Sequence, residues 1–243
     1  IQNEALSSST FLNHSFKKKI KNIIKEVNPQ KVIFTYEGYP FERIIISAAR
    51  EVSSNIKCVG YQHSGIFESQ NVVYKSFNQK YDPDYVLCTG KITAEYCKKK
   101  IENKETIVKV LGTQKRFDLD LNKRRKSCLI VPEGYFSEIK ILLKFCIKIS
   151  LQDSSIPFIL RLHPNVYNDR KIKSYITQKL KLFDNFEISK TCLKNDLMKS
   201  KTVLYRGSTV SIQAGCLGII PLYLKYKSEI SIDPLFNMGE NKL

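Results

Sequence analysis

The stretch Lys31-Val32-Ile33-Phe34-Thr35-Tyr36-Glu37-Gly38-Tyr39-Pro40 decides the fold. Its first six residues are a short, mostly apolar run rich in β-branched and aromatic side chains, which reads as a buried strand. Glu37-Gly38 breaks the run, and Pro40 suits the first turn of a helix over residues 40–52. The pattern then repeats outward. Residues 56–62 read as a second strand, 84–89 as a third, 91–101 as a helix and 107–112 as a fourth strand. This β-α-β order predicts a parallel sheet covered on both faces.

Residues 114–126 are polar and strongly charged and read as a linker between a unit over 1–113 and a second over 127–243. In the second unit, strands are expected over 127–131, 157–162, 186–189, 202–205 and 219–224, with helices over 137–150, 170–182 and 208–217. The fold class is therefore α/β, with two Rossmann-like parallel-sheet units. No repeat is read between the halves. Four strands are few for a complete Rossmann-like domain, so the chain reads as truncated at one or both ends.

Composition narrows the classes. Hydrophobic residues are 42% and charged residues 26% of the 243, which supports a packed core and excludes a disordered tail. No apolar run reaches the roughly 20 residues of a membrane span. Seven scattered cysteines without a C-x-x-C pair argue against zinc and for buried, reduced thiols in a cytoplasmic protein. The net charge of +17 implies an anionic partner, namely nucleic acid, an acidic membrane face or phosphorylated substrates, or else a general lysine-rich bias dispersed along helix faces. Lys17-Lys18-Lys19 and Lys123-Arg124-Arg125-Lys126 are the candidate patches, suited to the inner face of the plasma membrane. No aromatic-basic motif points to nucleic acid, and a basic nucleic-acid-binding protein is the non-enzyme alternative.

In open parallel sheets, ligands bind beyond the carboxyl ends of the strands. Those ends here are Tyr36-Glu37-Gly38, Gln62-His63-Ser64-Gly65, Arg161-Leu162-His163-Pro164 and Tyr205-Arg206-Gly207-Ser208-Thr209. Two of the three histidines fall among them. Glu37, between an apolar strand and a helix start, suits general-base work or helix capping. His63 is an alternative base, with Ser64 and Gly65 leaving room for a ligand, and Gly38 fits a sharp turn. Arg161 and His163 flank one residue, so strand alternation aims both at one face as a phosphate clamp, and Pro164 fixes the turn after them. Ser208 and Thr209 open a helix after Arg206-Gly207; the four residues read as a further anion-binding segment on the donor side, with an ordinary N-cap as the alternative for Ser208 and Thr209.

No G-x-G-x-x-G, G-x-x-x-x-G-K-[ST] or G-x-S-x-G occurs. Asp82-Pro83-Asp84 and Asp118-Leu119-Asp120 match a D-x-D by chance, so no metal and no cofactor is required.

In order along the chain, Glu37-Gly38, Arg161-Leu162-His163-Pro164 and Ser208-Thr209 resemble the acidic-Gly, His-Pro and Ser-Ser/Thr motifs of bacterial GT-B sialyltransferases and keto-deoxyoctulosonate transferases. Position 36 holds Tyr where the sialyltransferase pattern has an acid. The segment from Tyr36 to His63 also looks like bacterial surface-carbohydrate biosynthesis proteins. The resemblance implies a metal-independent glycosyltransferase that moves a sugar from a nucleotide-sugar donor, such as a CMP-linked one, to a surface polysaccharide or lipid-linked acceptor. It implies Glu37 as the base, His163 as a phosphate contact, and Ser208 and Thr209 as further donor contacts. The donor is expected in a cleft, mostly on the second unit. The His-Pro and Ser-Thr segments are similar to CDP-glycerol glycerophosphotransferases of teichoic acid synthesis as well, which is the alternative reading. Nucleotide-sugar 2-epimerases share the fold.

Overall fold

A computed structural model describes residues 8–113, 125–226 and 229–238. These fall into two compact units. One takes the described residues up to Ser64 and again from Gln70 to 113; the other takes Gly65–Ser69 and the described residues from 125 onward.

The first unit runs α1 (Ser8–Val27), β1 (Lys31–Thr35), α2 (Pro40–Val52), β2 (Lys57–Gln62), β3 (Tyr85–Cys88), α3 (Lys91–Lys100) and β4 (Ile107–Val110). The strands are all parallel and lie in the order β1-β2-β3-β4. Parallel strands joined by right-handed crossovers and laid down in one direction put every crossover helix on the same side. Accordingly Ile46 and Ala49 of α2 and Ile24 of α1 pack on Val32, Phe34 and Cys58, while Cys97 of α3 meets Cys88. The other face carries Ile33 and Ile107, which are 68% and 45% exposed. The expectation of a sheet covered on both faces therefore fails for the described residues of this unit, because the strand order never reverses.

Helix α1 was not foreseen from the sequence. Its stripe Phe16, Ile20 and Ile24 follows an i, i+4, i+8 spacing, which is a helical face. Lys17 and Lys21 tie it to Glu51 of α2 at 2.6 and 3.1 Å, while Lys18 and Lys19 stay exposed. The 63–84 connection is anchored by Arg43 of α2. Its guanidinium is paired with Asp82 at 2.7 Å and bonded to the carbonyls of Val72, Lys75 and Tyr81.

The second unit runs β5 (Ser127–Val131), α4 (Phe136–Gln152), β6 (Phe158–Leu160), a 3-10 turn (Pro164–Val166), α5 (Arg170–Leu180), β7 (Phe186–Ile188), α6 (Leu193–Lys199), β8 (Ser200–Tyr205), α7 (Val210–Cys216) and β9 (Ile220–Tyr223). Its order is β7-β6-β5-β8-β9, again all parallel. Here the order reverses at β5, so the helices divide between two faces. Ile139, Leu142, Leu143 and Cys146 of α4, with Ile172 and Ile176 of α5, cover Cys128, Ile130 and Leu160. Leu197 of α6 and Ala214 of α7 cover Leu129, Val131 and Val203. This unit is doubly wound, as expected.

Of the cysteines, Cys192 and Cys216 are exposed and the other five are buried, all as free thiols. Among the described residues no helix is long and apolar enough to cross a membrane. Lys123, Arg124 and the Asp118-Leu119-Asp120 match lie outside the described residues.

Candidate functional site

The reversal at β5 opens the sheet where β5 and β8 part to opposite sides, the position at which open α/β sheets bind ligands. Three strand ends meet there. After β5 comes Pro132-Glu133-Gly134, after β6 Arg161-Leu162-His163, and after β8 Arg206-Gly207-Ser208-Thr209.

His163 is exposed and caps the 3-10 turn, its Nδ1 accepting the Asn165 N–H at 3.3 Å. That bond places the proton of the neutral ring on Nε2. Pro164 starts the turn, so the imidazole is held by local backbone geometry. The bare Cα of Gly134 lies against the ring; a Cβ there would sit 3.1 Å from Nδ1.

Arg161 departs from the expected clamp. It follows the last strand residue, Leu160, so strand alternation no longer governs it. Its guanidinium turns toward the β7–α6 connection, bonding Asp196 at 2.8 Å and the Thr191 carbonyl at 2.8 Å. Asp196 is buried and also accepts from Ser189 and Thr191. His163 instead neighbours the β5 end, so the two side chains do not converge.

Arg206 is the second correction. It is 2% exposed. Its Nε donates to Glu138 at 2.7 Å, Nη1 to the Leu224 carbonyl at 3.2 Å, and Nη2 to Glu229. A guanidinium spent in this way holds the β8 end to α4 and to the segment after β9. Nearby, Tyr205 donates to Asp233 at 2.8 Å. Burial first, then that carboxylate, pushes the Tyr205 hydroxyl well above its ordinary value. Gly207, Ser208 and Thr209 are left at the tip. The helix after them starts at Val210, two residues later than expected, and has only seven residues. Thr209 supplies no side-chain cap, while the Ser208 carbonyl accepts from Ser211 Oγ at 2.8 Å.

In the first unit the helix start is capped by a carboxylate other than that of Glu37. The capping acid is Glu42, whose carboxylate accepts from the Glu37 N–H at 2.9 and 3.0 Å and from the Tyr39 N–H at 2.8 Å. Burial raises the Glu42 carboxyl above its ordinary range, against the lowering effect of these N–H bonds. Glu37 thus keeps its own carboxylate for another partner, and its Oε1 lies 3.7 Å from His63 Nε2. That is an ion-pair distance, longer than a hydrogen bond. The pair is open to solvent through His63, which is 41% exposed. Gly38 is obligatory: its φ is +84°, and a Cβ would fall 2.6 Å from the Val72 carbonyl carbon. Ser64 accepts through its carbonyl from the Gln62 amide. Gly65 belongs with the second unit, where a Cβ would come 3.0 Å from Thr209 and 3.1 Å from Pro234. Asp82 and Asp84 of the D-x-D match face Arg43 and Arg50 respectively.

Sequence reasoning missed Glu133, although a signal was there. Glu37-Gly38-Tyr39-x-x-Glu42 recurs as Glu133-Gly134-Tyr135-x-x-Glu138, 96 positions later (133 minus 37). Each copy joins a strand end to a helix whose N-cap is the tyrosine. Each has a histidine, His63 or His163, following the adjacent strand. The expectation that no repeat relates the halves is thereby corrected.

No family model and no curated protein matches the chain. Solved structures do match. S. aureus MnaA in a co-structure with UDP is 12% identical with a TM-score of 0.60, over 91% of this chain and 65% of that one. UDP-GlcNAc 2-epimerase from Neisseria meningitidis bound to UDP-GlcNAc is 12% identical at 0.56, over 92% and 66%. The pneumococcal O-GlcNAc transferase GtfA in complex with UDP and GlcNAc is 13% identical at 0.56, over 85% and 45%. The chain thus spans less than two thirds of the length of each of these three proteins. Two parallel sheets of four and five strands, set in this α/β order, give the chain the GT-B fold of two Rossmann-like units.

Proposed function

We propose that the chain is part of a glycosyltransferase that takes a sugar from a nucleotide-sugar donor and passes it to a hydroxyl of a surface glycan or lipid-linked acceptor. The observation that carries this reading is the set of polar strand ends at the switch point of the second sheet, on a fold whose solved neighbours hold UDP or UDP-GlcNAc. In this reading His163, Pro164, Gly207, Ser208 and Thr209 form the donor side. His163 Nε2–H and the backbone of the β8 end meet the leaving phosphate, which is electrostatic stabilisation of developing charge. Arg206 and Arg161 position these strand ends through their ion pairs. Glu37, beside His63, takes the proton of the acceptor hydroxyl. Exposed Lys18 and Lys19 of α1 suit an anionic membrane face.

Thermal shift of the chain against CMP-, UDP-, GDP- and CDP-linked compounds tests the donor side. At least one nucleotide is expected to raise Tm and His163→Ala to reduce the rise; no shift with any of them overturns the reading. Glu37→Gln is expected to leave nucleotide affinity unchanged and abolish transfer, and full turnover by that variant removes Glu37 as the base. Nucleotide-sugar 2-epimerisation is the competing reading, favoured by the epimerase among the structural neighbours. A product isomerised on the nucleotide, with no acceptor needed, would establish it.

A further inference from the structure

Glu133 has no part in the donor side as drawn above, yet it occupies the middle of the switch point. It is half-buried at the end of β5, the central strand, with the β6 and β8 ends on either side. Its Oε1 lies so near the β8 end that a Cβ on Gly207 would be 2.7 Å away. Among the described residues nothing donates a hydrogen bond to this carboxyl and no cation pairs with it, although His163 lies within electrostatic reach. Burial, and secondarily the Glu138 carboxylate, raises it above the ordinary glutamate range. A part-buried carboxylate offers about four acceptor positions and is stable only when donors fill them.

The surrounding charges say which donors. Arg206 is taken up by Glu138 and Glu229, and Arg161 by Asp196. A bare anion at the β5 end would therefore face an uncompensated carboxylate, whereas hydroxyl groups satisfy it. Gly134 and Gly207 carry no side chains, which keeps both neighbouring backbones low beside the carboxyl. His163, with its Nδ1 engaged by Asn165, presents an Nε2–H donor on the same rim.

We propose that Glu133 is a ligand-contacting residue: its two carboxylate oxygens accept hydrogen bonds from a vicinal pair of sugar hydroxyls, beside the phosphate that His163 meets. The proposal rests on the nucleotide-sugar reading and names the part of the donor that meets the β5 end. The first unit supports it, since the same Glu-Gly-Tyr-x-x-Glu segment there also brings a glutamate, Glu37, to a histidine.

Calorimetric titration of the 243-residue chain and its Glu133→Gln variant tests this, using CMP, UDP, their 2′,3′-dideoxy counterparts and UDP-GlcNAc. Glutamine matches glutamate in shape, and a cooperative melt at neutral pH with a midpoint no lower than that of the natural chain verifies that the variant folds. Losing a charged hydrogen-bond acceptor is expected to weaken a hydroxyl-bearing ligand by about tenfold or more. A loss on CMP or UDP that vanishes with the dideoxy counterparts identifies the ribose. A loss confined to UDP-GlcNAc identifies the transferred sugar. Equal affinities of the variant and the natural chain for every ligand, or an equal loss on the dideoxy compounds, overturns the proposal. If the natural chain binds none of the five, this proposal is overturned, and the donor-site reading fails with it only when GDP- and CDP-linked compounds also leave Tm unchanged.

Discussion

Replacing Gly38 with alanine separates backbone necessity from mere smallness. The residue sits between Glu37 and the start of α2 with φ +84°, and a Cβ would be 2.6 Å from the Val72 carbonyl carbon and 2.6 Å from the Val73 nitrogen. Left-handed backbone costs an L-residue about 1–2 kcal/mol. Overlap with packed atoms adds about 1–3 kcal/mol. Both obstructing atoms are backbone, so no side-chain rotation relieves the clash. Alanine's lower entropy in the unfolded chain returns about 0.4–1 kcal/mol. The net expectation is a loss of about 2–4 kcal/mol, a large part of the roughly 5–15 kcal/mol that holds a domain folded. Urea unfolding measures it as a lower midpoint at unchanged slope. Gly90→Ala is the control, since a Cβ there meets nothing within 4 Å and its φ is −160°. If Gly38→Ala costs no more than Gly90→Ala, the strand end is not held by the close approach of Val72-Val73, and the placement of Glu37 loses its physical basis.

Arg206→Ala is expected to destabilise by about 3–5 kcal/mol, because it strands Glu138 without its buried partner; in urea unfolding, the double change with Glu138→Gln should cost less than Arg206→Ala alone. Asp196→Ala removes the acceptor shared by Arg161, Ser189 and Thr191, and should lower the urea midpoint further than Lys199→Ala, whose ion pair with Glu187 is exposed. The raised Glu133 carboxyl gives a pH signature. The folded chain holds that proton more tightly than the unfolded one. Stability from this group is therefore full below the ordinary glutamate range and is lost as pH rises toward the folded value. Urea midpoints at pH 4 and pH 7 should show Glu133→Gln gaining on the natural chain at pH 7; an unchanged gap contradicts the burial of this carboxyl.

The strands and their parallel sense were legible because apolar runs such as residues 31–35 and 127–131 carry local, strongly patterned information. The strand-end segments around Glu37, His63, His163 and Gly207 were legible for the same reason: polar residues that interrupt apolar runs mark where a strand stops. The short α6 escaped because seven residues carry weak periodicity, whereas α1 was legible in its Phe16-Ile20-Ile24 stripe. Glu133 is marked in the sequence only by the recurrence of Glu-Gly-Tyr-x-x-Glu 96 positions after its first copy, a spacing beyond the reach of local periodicity.

The residues by themselves determined that two runs of parallel strands would form and which polar groups would stand at their tips, because period, turn chemistry and capping act over a few neighbours. Only the tertiary structure decided what each polar group is free to do. Arg206 and Arg161 differ from His163 not in type or position along a strand end but in partners up to 68 residues away, such as Glu138 and Asp196. Glu37 differs from Glu42 because one carboxylate closes the helix start and the other does not. Strand order, likewise, put the switch point in the second sheet alone among the described strands. Pairings of that kind depend on distance in space, which local sequence pattern does not encode.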